Sequence, residues 1–323
     1  MTSSPDTATA HSASSPAAAE AGAGGTAERD ERLKRRAATA AVAVAALLIT
    51  AKTAAYLATD AVSILSSLID SLLDLTASLV NFVAIRQAAV PPDRDHRFGH
   101  GKAEPLAGLA QAAFIAGSSV LLLFEAGSRL FRPTPVESST VGISVMVFSI
   151  VLTLGLVLFQ RYVVRRTGSV AIGADALHYR SDLLMNASVI GALVLAANFG
   201  FTIADPLFGI AIAFYILISA WTVFSASLQL LMDRELAEDD RARIKTIAMA
   251  HPAVISLHDL RTRSSGTHTF IQFHLEMDRN LTLFEAHAIS DEVMEQVEAA
   301  FPNAEVLIHE DPEGIEERRA VFR

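Results

Sequence analysis

The stretch AVSILSSLIDSLLDLTASLVNFVAI, residues 61–85, decides the class of this protein. It is as long as the roughly 20 apolar residues that cross the hydrocarbon core of a bilayer, yet Asp70 and Asp74 lie near its midpoint. Because the two acids are four residues apart, a helix places both carboxylates on one face. An acid at this depth costs about 2.5–3.5 kcal/mol even on insertion scales, and intramembrane acids are functional by default. The stretch therefore predicts a transmembrane helix with a functional polar face.

Five further apolar segments accompany this helix, and the composition agrees with a membrane protein. The chain of 323 residues is 51% hydrophobic and only 19% charged, a balance too apolar for an ordinary soluble domain. Lys and Arg are concentrated before the first segment and in the loops after the second and fourth, which predicts that both termini are cytoplasmic. The five segments lie at residues 37–59, 106–130, 141–160, 174–198 and 206–231.

Composition divides the chain into four regions. Residues 1–28 are rich in Ala, Ser, Thr and Gly and are predicted to be disordered. Residues 29–232 form the predicted six-helix transmembrane domain, residues 233–315 a cytoplasmic domain, and residues 316–323 a tail. Residues 234–323 carry 18 acidic and 10 basic side chains, which argues against nucleic-acid binding. The chain has no cysteine, so any metal must be bound by His, Asp or Glu.

The region after Asp233 has the pattern of a small α+β domain. Charged residues from Glu235 open a helix, and residues 270–277 (FIQFHLEM) alternate with period two, as a strand with one buried face does. A helix over residues 283–300 and a strand over 305–309 complete the order αββαβ. In this strand Ile271, Phe273, Leu275 and Met277 are predicted to face a core.

The fifth apolar segment repeats the polar spacing of the second. His178 and Asp182 are again four residues apart. If the two helices pack side by side, three carboxylates and one imidazole converge, which suits a tetrahedral divalent ion of the zinc type. The nitrogen ligand disfavours Mg²⁺ and Ca²⁺, which prefer shells of oxygen. For Asp70 and Asp74 the structural alternative is a hydrogen-bonded contact between two helices, and for His178 it is a satisfied polar group at a helix end.

Two more groups of possible ligands lie outside the apolar segments. The loop DRDHRFGHGKAE, residues 93–104, offers Asp93, His96 and His100, with glycines that let a short loop close on a metal. A solvated polar loop is the alternative. In the soluble region, surface histidines without a shared role compete with a metal site as the interpretation. The possible ligands there are His258, His274, His287, His309 and Asp311.

Three further charged residues lie within or beside the apolar segments. Lys52 lies two-thirds along the first segment and is predicted to extend its amine toward the membrane surface, with pairing to an acid as the alternative. Lys102 and Asp233 lie at the predicted cytoplasmic ends of the third and sixth segments, where they could form an ion pair.

The charge of the intramembrane quartet indicates a mechanism. Three ionised aspartates with a neutral histidine total −3 in a medium of low dielectric, and only a metal ion or protons can neutralise them. Metal and protons compete for the same lone pairs. The residues therefore predict exchange of a metal cation for protons. Two other classes are an intramembrane aspartyl protease, which would need facing acids on two helices, and a membrane-anchored metal sensor or scaffold without transport.

Six stretches of the sequence together resemble the cation diffusion facilitator family. The resemblance runs in order over residues 27–315. The stretches are SLIDSLLDLTASLVN (67–81), DRDHRFGHGKAE (93–104), ADALHYRSD (174–182), HDLRTRSSG (258–266), FIQFHLEM (270–277) and LIHEDP (307–312).

The resemblance implies a proton-coupled exporter rather than an enzyme. It implies a homodimer in the bacterial inner membrane that exports Zn²⁺, or Fe²⁺ or Cd²⁺, by alternating access, with the metal also bound as a structural ion and with no organic cofactor. The cytoplasmic domain, residues 233–315, is implied to be ferredoxin-like and to serve metal binding and dimerisation. By this likeness the transport site is Asp70, Asp74, His178 and Asp182, the loop site is Asp93, His96 and His100, and the binuclear cytoplasmic site is His258, His274, His287, His309 and a bridging Asp311. Lys102 and Asp233 correspond to a charge interlock at the dimer interface.

Overall fold

The computed structural model describes residues 16–60, 62–131, 140–199, 203–266 and 268–315. They form two compact units, one comprising residues 30–236 with 262–269, the other comprising residues 16–29, 237–261 and 270–315. The first unit is built from six long helices, the first of which also includes residues 16–29. These are α1 (Pro16–Thr59), α2 (Val62–Ala88), α3 (Ala103–Phe131), α4 (Thr140–Thr167), α5 (Val170–Phe199) and α6 (Ala204–Leu231).

The helices confirm the prediction of a helical membrane protein. Within the described residues, α1, α2, α3, α4 and α6 are long and apolar enough to cross a bilayer. Helix α5 has 30 residues, more than the roughly 20 that a span needs, and it carries the polar side chains Asp175, His178 and Asp182. Helix α4 continues past the predicted end at Gln160 to Thr167, because Arg165 and Arg166 stabilise the negative end of the helix dipole in its last turn.

The N-terminal extension differs in part from its predicted disorder. Residues 1–15 lie outside the described residues, but α1 begins at Pro16 and runs through residues 17–28 without a break. Alanine has the highest helix propensity and proline is favoured in the first turn of a helix, which explains this start. The predicted tail, residues 316–323, lies outside the described residues.

Small side chains let the six helices pack closely, as is typical inside membranes. One buried cluster joins α1, α2, α4 and α5, and a second joins α3, α5 and α6. Helix α2 is antiparallel to α3 and α5. The first turns of α2 therefore lie beside the last turns of the other two helices. The first cluster is Ala37, Ala38, Ile85, Val163, Ala171 and Ile172; the second is Ile115, Leu177, Ile216 and Ala220.

The second unit confirms the predicted order αββαβ. It contains a three-stranded sheet with strand order β1-β2-β3. The predicted alternation in β2 is confirmed, since the side chains at 271, 273, 275 and 277 are at most 2% exposed. The elements are α7 (Glu238–Ala248), β1 (Val254–Ser264), β2 (Thr269–Met277), α8 (Leu283–Ala300) and β3 (Ala304–Pro312).

A capping box begins α8 and leads to a testable prediction. The Thr282 hydroxyl accepts a hydrogen bond from the Glu285 backbone N–H, and the Glu285 carboxylate accepts one from the Thr282 backbone N–H. We expect Thr282→Ala to lower the free energy of local unfolding of α8 by about 1 kcal/mol. Amide hydrogen exchange in the first turn of α8 measures this change. Thr246→Ala in α7 is the matched control, because the Thr246 hydroxyl only donates to the carbonyl of Ala242, and equal effects would contradict a capping role.

The same box makes α8 sensitive to pH. Hydrogen bonds donated by the backbone and side chain of Thr282 lower the pKa of Glu285. A carboxylate whose pKa is lowered on folding stabilises the fold above its ordinary pKa, and this contribution is lost as the pH falls through the lowered value. Hydrogen-exchange protection of the first turn should therefore fall in acid.

Candidate metal centres

The intramembrane cluster joins α2 to α5. The His178 Nε2 atom lies 2.8 Å from Asp74 Oδ1 and 4.0 Å from Asp182 Oδ2. One ligand atom from each of the three residues lies within 4.8 Å of the others. The spacing of four residues on α5 positions His178 and Asp182 on one face, and the antiparallel packing of α2 brings Asp74 to that face. Three of the four predicted transport ligands therefore converge.

The fourth predicted ligand, Asp70, is placed differently. It is outside the group of ligand atoms that lie within 4.8 Å of one another, one helical turn from Asp74 on α2. It lines the same cavity as the three clustered residues. The cavity measures about 310 Å³ and extends from the ligands past Ser67, Leu122 and Asn186.

Lys52 also lines this cavity, and here the sequence prediction is wrong. Its side chain does not extend to the membrane surface but is only 9% exposed. The amine donates to the carbonyl of Ser67 at 3.0 Å and to the hydroxyl of Ser71 at 2.6 Å. These acceptors, together with acids in the same cavity, make the interior position favourable for an ammonium group, because a buried charge is tolerated when it is paired and hydrogen-bonded.

A buried polar network, which the sequence analysis missed, lies one turn from the ligands. Asp175 on α5 is 1% exposed and accepts hydrogen bonds from Ser78, Gln111 and Gln160. The signal was available in the sequence, since Asp175 is an acid within a predicted transmembrane segment. Unlike His178 and Asp182, however, Asp175 has no second His or Asp four residues away in the sequence.

The structure brings the three loop residues together. Asp93 Oδ1 lies 3.3 Å from His96 Nδ1, and Asp93 Oδ2 lies 3.4 Å from His100 Nε2. Gly99 adopts φ +78°, a conformation that glycine reaches without the steric cost of a side chain. Hydrogen bonds donated by the backbone N–H groups of His96 and Asp95 lower the pKa of Asp93, which keeps it ionised and able to bind a cation.

Lys102 and Asp233 meet within one chain. The Lys102 Nζ atom lies 2.8 Å from Asp233 Oδ1, and both side chains are partly exposed. Asp233 adopts φ +55° just after α6 ends. The pair therefore ties the start of α3 to the end of α6.

The cytoplasmic cluster is centred on Asp311, a side chain that is 7% exposed. Asp311 Oδ2 lies 3.2 Å from His258 Nε2 and 2.9 Å from His274 Nδ1. The other oxygen, Oδ1, lies 3.3 Å from His309 Nε2. Strands β1, β2 and β3 each contribute to the cluster, so the sheet aligns residues that are distant in sequence. Both oxygens of the Asp311 carboxylate therefore face histidine nitrogens.

Two residues are placed differently from the predicted cytoplasmic site: His287 lies outside the cluster, and Asp259 lies beside it. His287 lies on α8, where its side chain is 67% exposed and pairs with Asp291 at 3.4 Å; the structure does not bring it to Asp311. Asp259, which the sequence analysis passed over, has Oδ2 3.9 Å from His274 Nε2. Its position directly after His258 was the available signal.

Comparison with known proteins matches both units. A family model described as the cation efflux transmembrane domain matches residues 38–232, and one described as the cation efflux protein cytoplasmic domain matches residues 236–313. The cation-efflux pump FieF of Shewanella oneidensis is 55% identical over 269 residues, 83% of this chain and 90% of that protein. FieF of Klebsiella pneumoniae is 46% identical over 268 residues, 83% of this chain and 89% of that protein. The solved zinc form of the zinc transporter CzrB is 32% identical and covers 27% of this chain and 99% of its own, with a TM-score of 0.25.

Proposed function

Because the chain belongs to the cation efflux family, we propose that it exports Zn²⁺, or Fe²⁺ or Cd²⁺, from the cytoplasm in exchange for protons by alternating access. Members of this family are transporters and not enzymes, so the protease interpretation does not apply. The observation that carries the proposal is the convergence of Asp74, His178 and Asp182 between two membrane helices.

The ligand set supports a transition metal as the substrate. Carboxylate oxygens and an imidazole nitrogen within 4.8 Å of one another match the ligands that zinc accepts. An imidazole also suits iron and is a poor ligand for Mg²⁺ or Ca²⁺. Asp70, one turn away in the same cavity, is the proposed fourth ligand, which a change of its side-chain conformation would bring to the ion.

The charge of the cavity supports coupling to protons. Asp70, Asp74 and Asp182 ionised, with neutral His178 and protonated Lys52, leave a charge of −2 among the lining residues. A divalent cation neutralises this charge, and without the metal only protons can do so. Since ligands must be deprotonated to bind metal, binding releases protons. The cavity therefore has the charge balance of an exchanger in which metal and protons alternate.

Flux measurements in proteoliposomes test the proposal. We expect Zn²⁺ uptake into vesicles to be accompanied by proton movement in the opposite direction, reported by a trapped pH indicator, and to accelerate when an outward proton gradient is imposed. Competition by Cd²⁺ and Fe²⁺, but not by Mg²⁺ or Ca²⁺, is expected from the ligand set. Flux that ignores the proton gradient would refute exchange, and absence of flux would refute transport.

We also propose that the protein is a homodimer in the bacterial inner membrane with both termini in the cytoplasm. The match of residues 236–313 to the cytoplasmic domain of cation efflux proteins supports the dimer, and the basic loops support the orientation. Lys102 and Asp233 would then lie near the interface as a charge interlock. Mass measurement in detergent tests the dimer, and protease access to the C-terminal unit in intact cells tests the orientation.

A metal sensor or scaffold without transport is the second candidate. The loop cluster and the cytoplasmic cluster favour it, because both bring ligands together outside the membrane helices. Binding by these clusters with no flux through the wild-type protein would support this candidate. Flux that depends on the intramembrane cluster would exclude it.

A further inference from the structure

Asp175 is a buried carboxylate that the proposed mechanism does not use. Its Oδ2 atom accepts a hydrogen bond from Gln160 Nε2 at 2.6 Å. Its Oδ1 atom accepts from Ser78 Oγ at 3.3 Å and from Gln111 Nε2 at 3.4 Å. These donors are uncharged and come from α4, α2 and α3, so a single carboxylate of α5 is tied to three other helices.

The hydrogen bonds continue to a fifth helix. The Tyr179 hydroxyl lies 2.8 Å from Ser78 Oγ and 3.4 Å from the carbonyl oxygen of Ala41 on α1. Because the Ser78 hydrogen is donated to Asp175, the single Tyr179 hydrogen can be donated to Ser78 or to Ala41, one at a time. We call Asp175, Ser78, Gln111, Gln160 and Tyr179 the Asp175 network. Its side chains are all buried, and in such a setting each broken hydrogen bond leaves a costly unsatisfied group.

The network lies on one side of the ligands and the cavity on the other. Ser78 follows Asp74 by one turn of α2, and Asp175 precedes His178 by one turn of α5. The cavity instead extends toward Ser67 on α2 and Asn186 on α5, the opposite directions along the same two helices. The ligands are therefore open to the cavity on one side and backed by a buried polar layer on the other.

We propose that Asp175 is a positioning residue for transport: its hydrogen bonds hold α5 against α2, α3 and α4, and so keep the metal site closed on the side of Gln111. This inference rests on the proposed function, because alternating access requires that side to open. The bonds must break for α5 to separate from α2, and their number sets how strongly the closed arrangement is favoured.

Cysteine accessibility tests this role without any flux measurement. The chain has no cysteine, so a thiol reagent can label only the cysteine that is introduced. Ala107→Cys reports the closed side, since Ala107 is buried one turn before Gln111 on α3; Asn186→Cys reports the cavity side. In the full-length protein in detergent, we expect a polar maleimide to label Asn186→Cys rapidly and Ala107→Cys slowly. Adding Asp175→Ala should raise the labelling rate at Ala107→Cys at least about tenfold and lower that at Asn186→Cys.

Further variants keep the test decisive. Asp205→Ala is the matched control, because Asp205 accepts from Arg129 across α3 and α6 and should leave Ala107→Cys protected. If Asp175→Ala does not fold, Asp175→Asn and Gln160→Leu replace it, each expected to give a smaller rise. Unchanged labelling of Ala107→Cys in folded variants of Asp175 or Gln160, or an equal rise in Asp205→Ala, overturns the inference.

Kinetics separate this role from general destabilisation. In vesicles, Asp175→Asn should lower the maximal rate of metal flux while changing KM by less than about threefold, because the ligands remain in place. A rise in KM alone would contradict the role. Wild-type protein that transports no metal would refute the proposed function, whereas the labelling experiment would still report whether Asp175 holds this side closed.

Discussion

Asp74→Ala is expected to reduce metal flux in proteoliposomes by more than about 100-fold. The Asp74 carboxylate makes the 2.8 Å contact with His178 Nε2 and, among the residues that the structure describes, is the one group that α2 contributes to the intramembrane cluster. Loss of outer-shell partners alone lowers metal affinity about 10–100-fold, so loss of a ligand should cost more. The substitution also removes one negative charge from a site whose attraction for a divalent ion is strong in a medium of low dielectric.

Asp60→Asn is the matched control for this variant. Asp60 is an exposed acid next to α2 with φ +50°, a conformation that asparagine also tolerates. We expect it to transport at the wild-type rate, which separates a ligand role from the mere loss of a negative charge. Size-exclusion chromatography checks that both variants remain folded. Flux through Asp74→Ala equal to that through Asp60→Asn would disprove the assigned transport site.

Asp311→Asn is expected to remove one class of metal site from the protein, with an affinity loss of more than about 100-fold. Asp311 contacts His258, His274 and His309 through its two oxygens. The amide that replaces the carboxylate has no charge and only one acceptor oxygen, so it cannot bridge these side chains to cations. Titration of the full-length protein with Zn²⁺ against a chromophoric chelator measures the loss.

Asp291→Asn is the control for this variant. It pairs with His287 on α8, apart from the Asp311 cluster. Asp291→Asn should therefore leave every class of site intact. Zinc binding that Asp291→Asn weakens as much as Asp311→Asn does would mean that His287 belongs to the site through a contact between subunits. Asp311 would then not be the centre of the site.

Much of this protein could be predicted from local pattern. The length of the apolar segments predicts the helices, because the bilayer sets the length of a span. Period two at residues 270–277 predicts the buried face of β2, which the structure confirms. The i, i+4 spacing of His178 and Asp182 and the short loop of Asp93, His96 and His100 predict clusters that the structure brings together, because ligands this close in sequence share a face or a turn.

Other features depend on which faces of separate helices pack against one another. Lys52 was predicted at the membrane surface, yet it is buried because Ser67 and Ser71 of the next helix provide acceptors. Asp175 has no sequence signature beyond being an acid within a predicted transmembrane segment, and its partners could not be predicted because its donors come from three helices far apart in the chain.

The sequence by itself determined the spans, the faces that carry acids and histidines, and the alternation of the sheet, because these follow from helix and strand periodicity along one segment. Only the tertiary structure decided that Asp74 meets His178, that Asp70 and His287 lie apart from the clusters, and that a polar layer backs the intramembrane cluster. The physical reason is that periodicity sets the direction of a side chain relative to its own helix or strand, whereas its partners depend on how separate elements rotate and pack against one another.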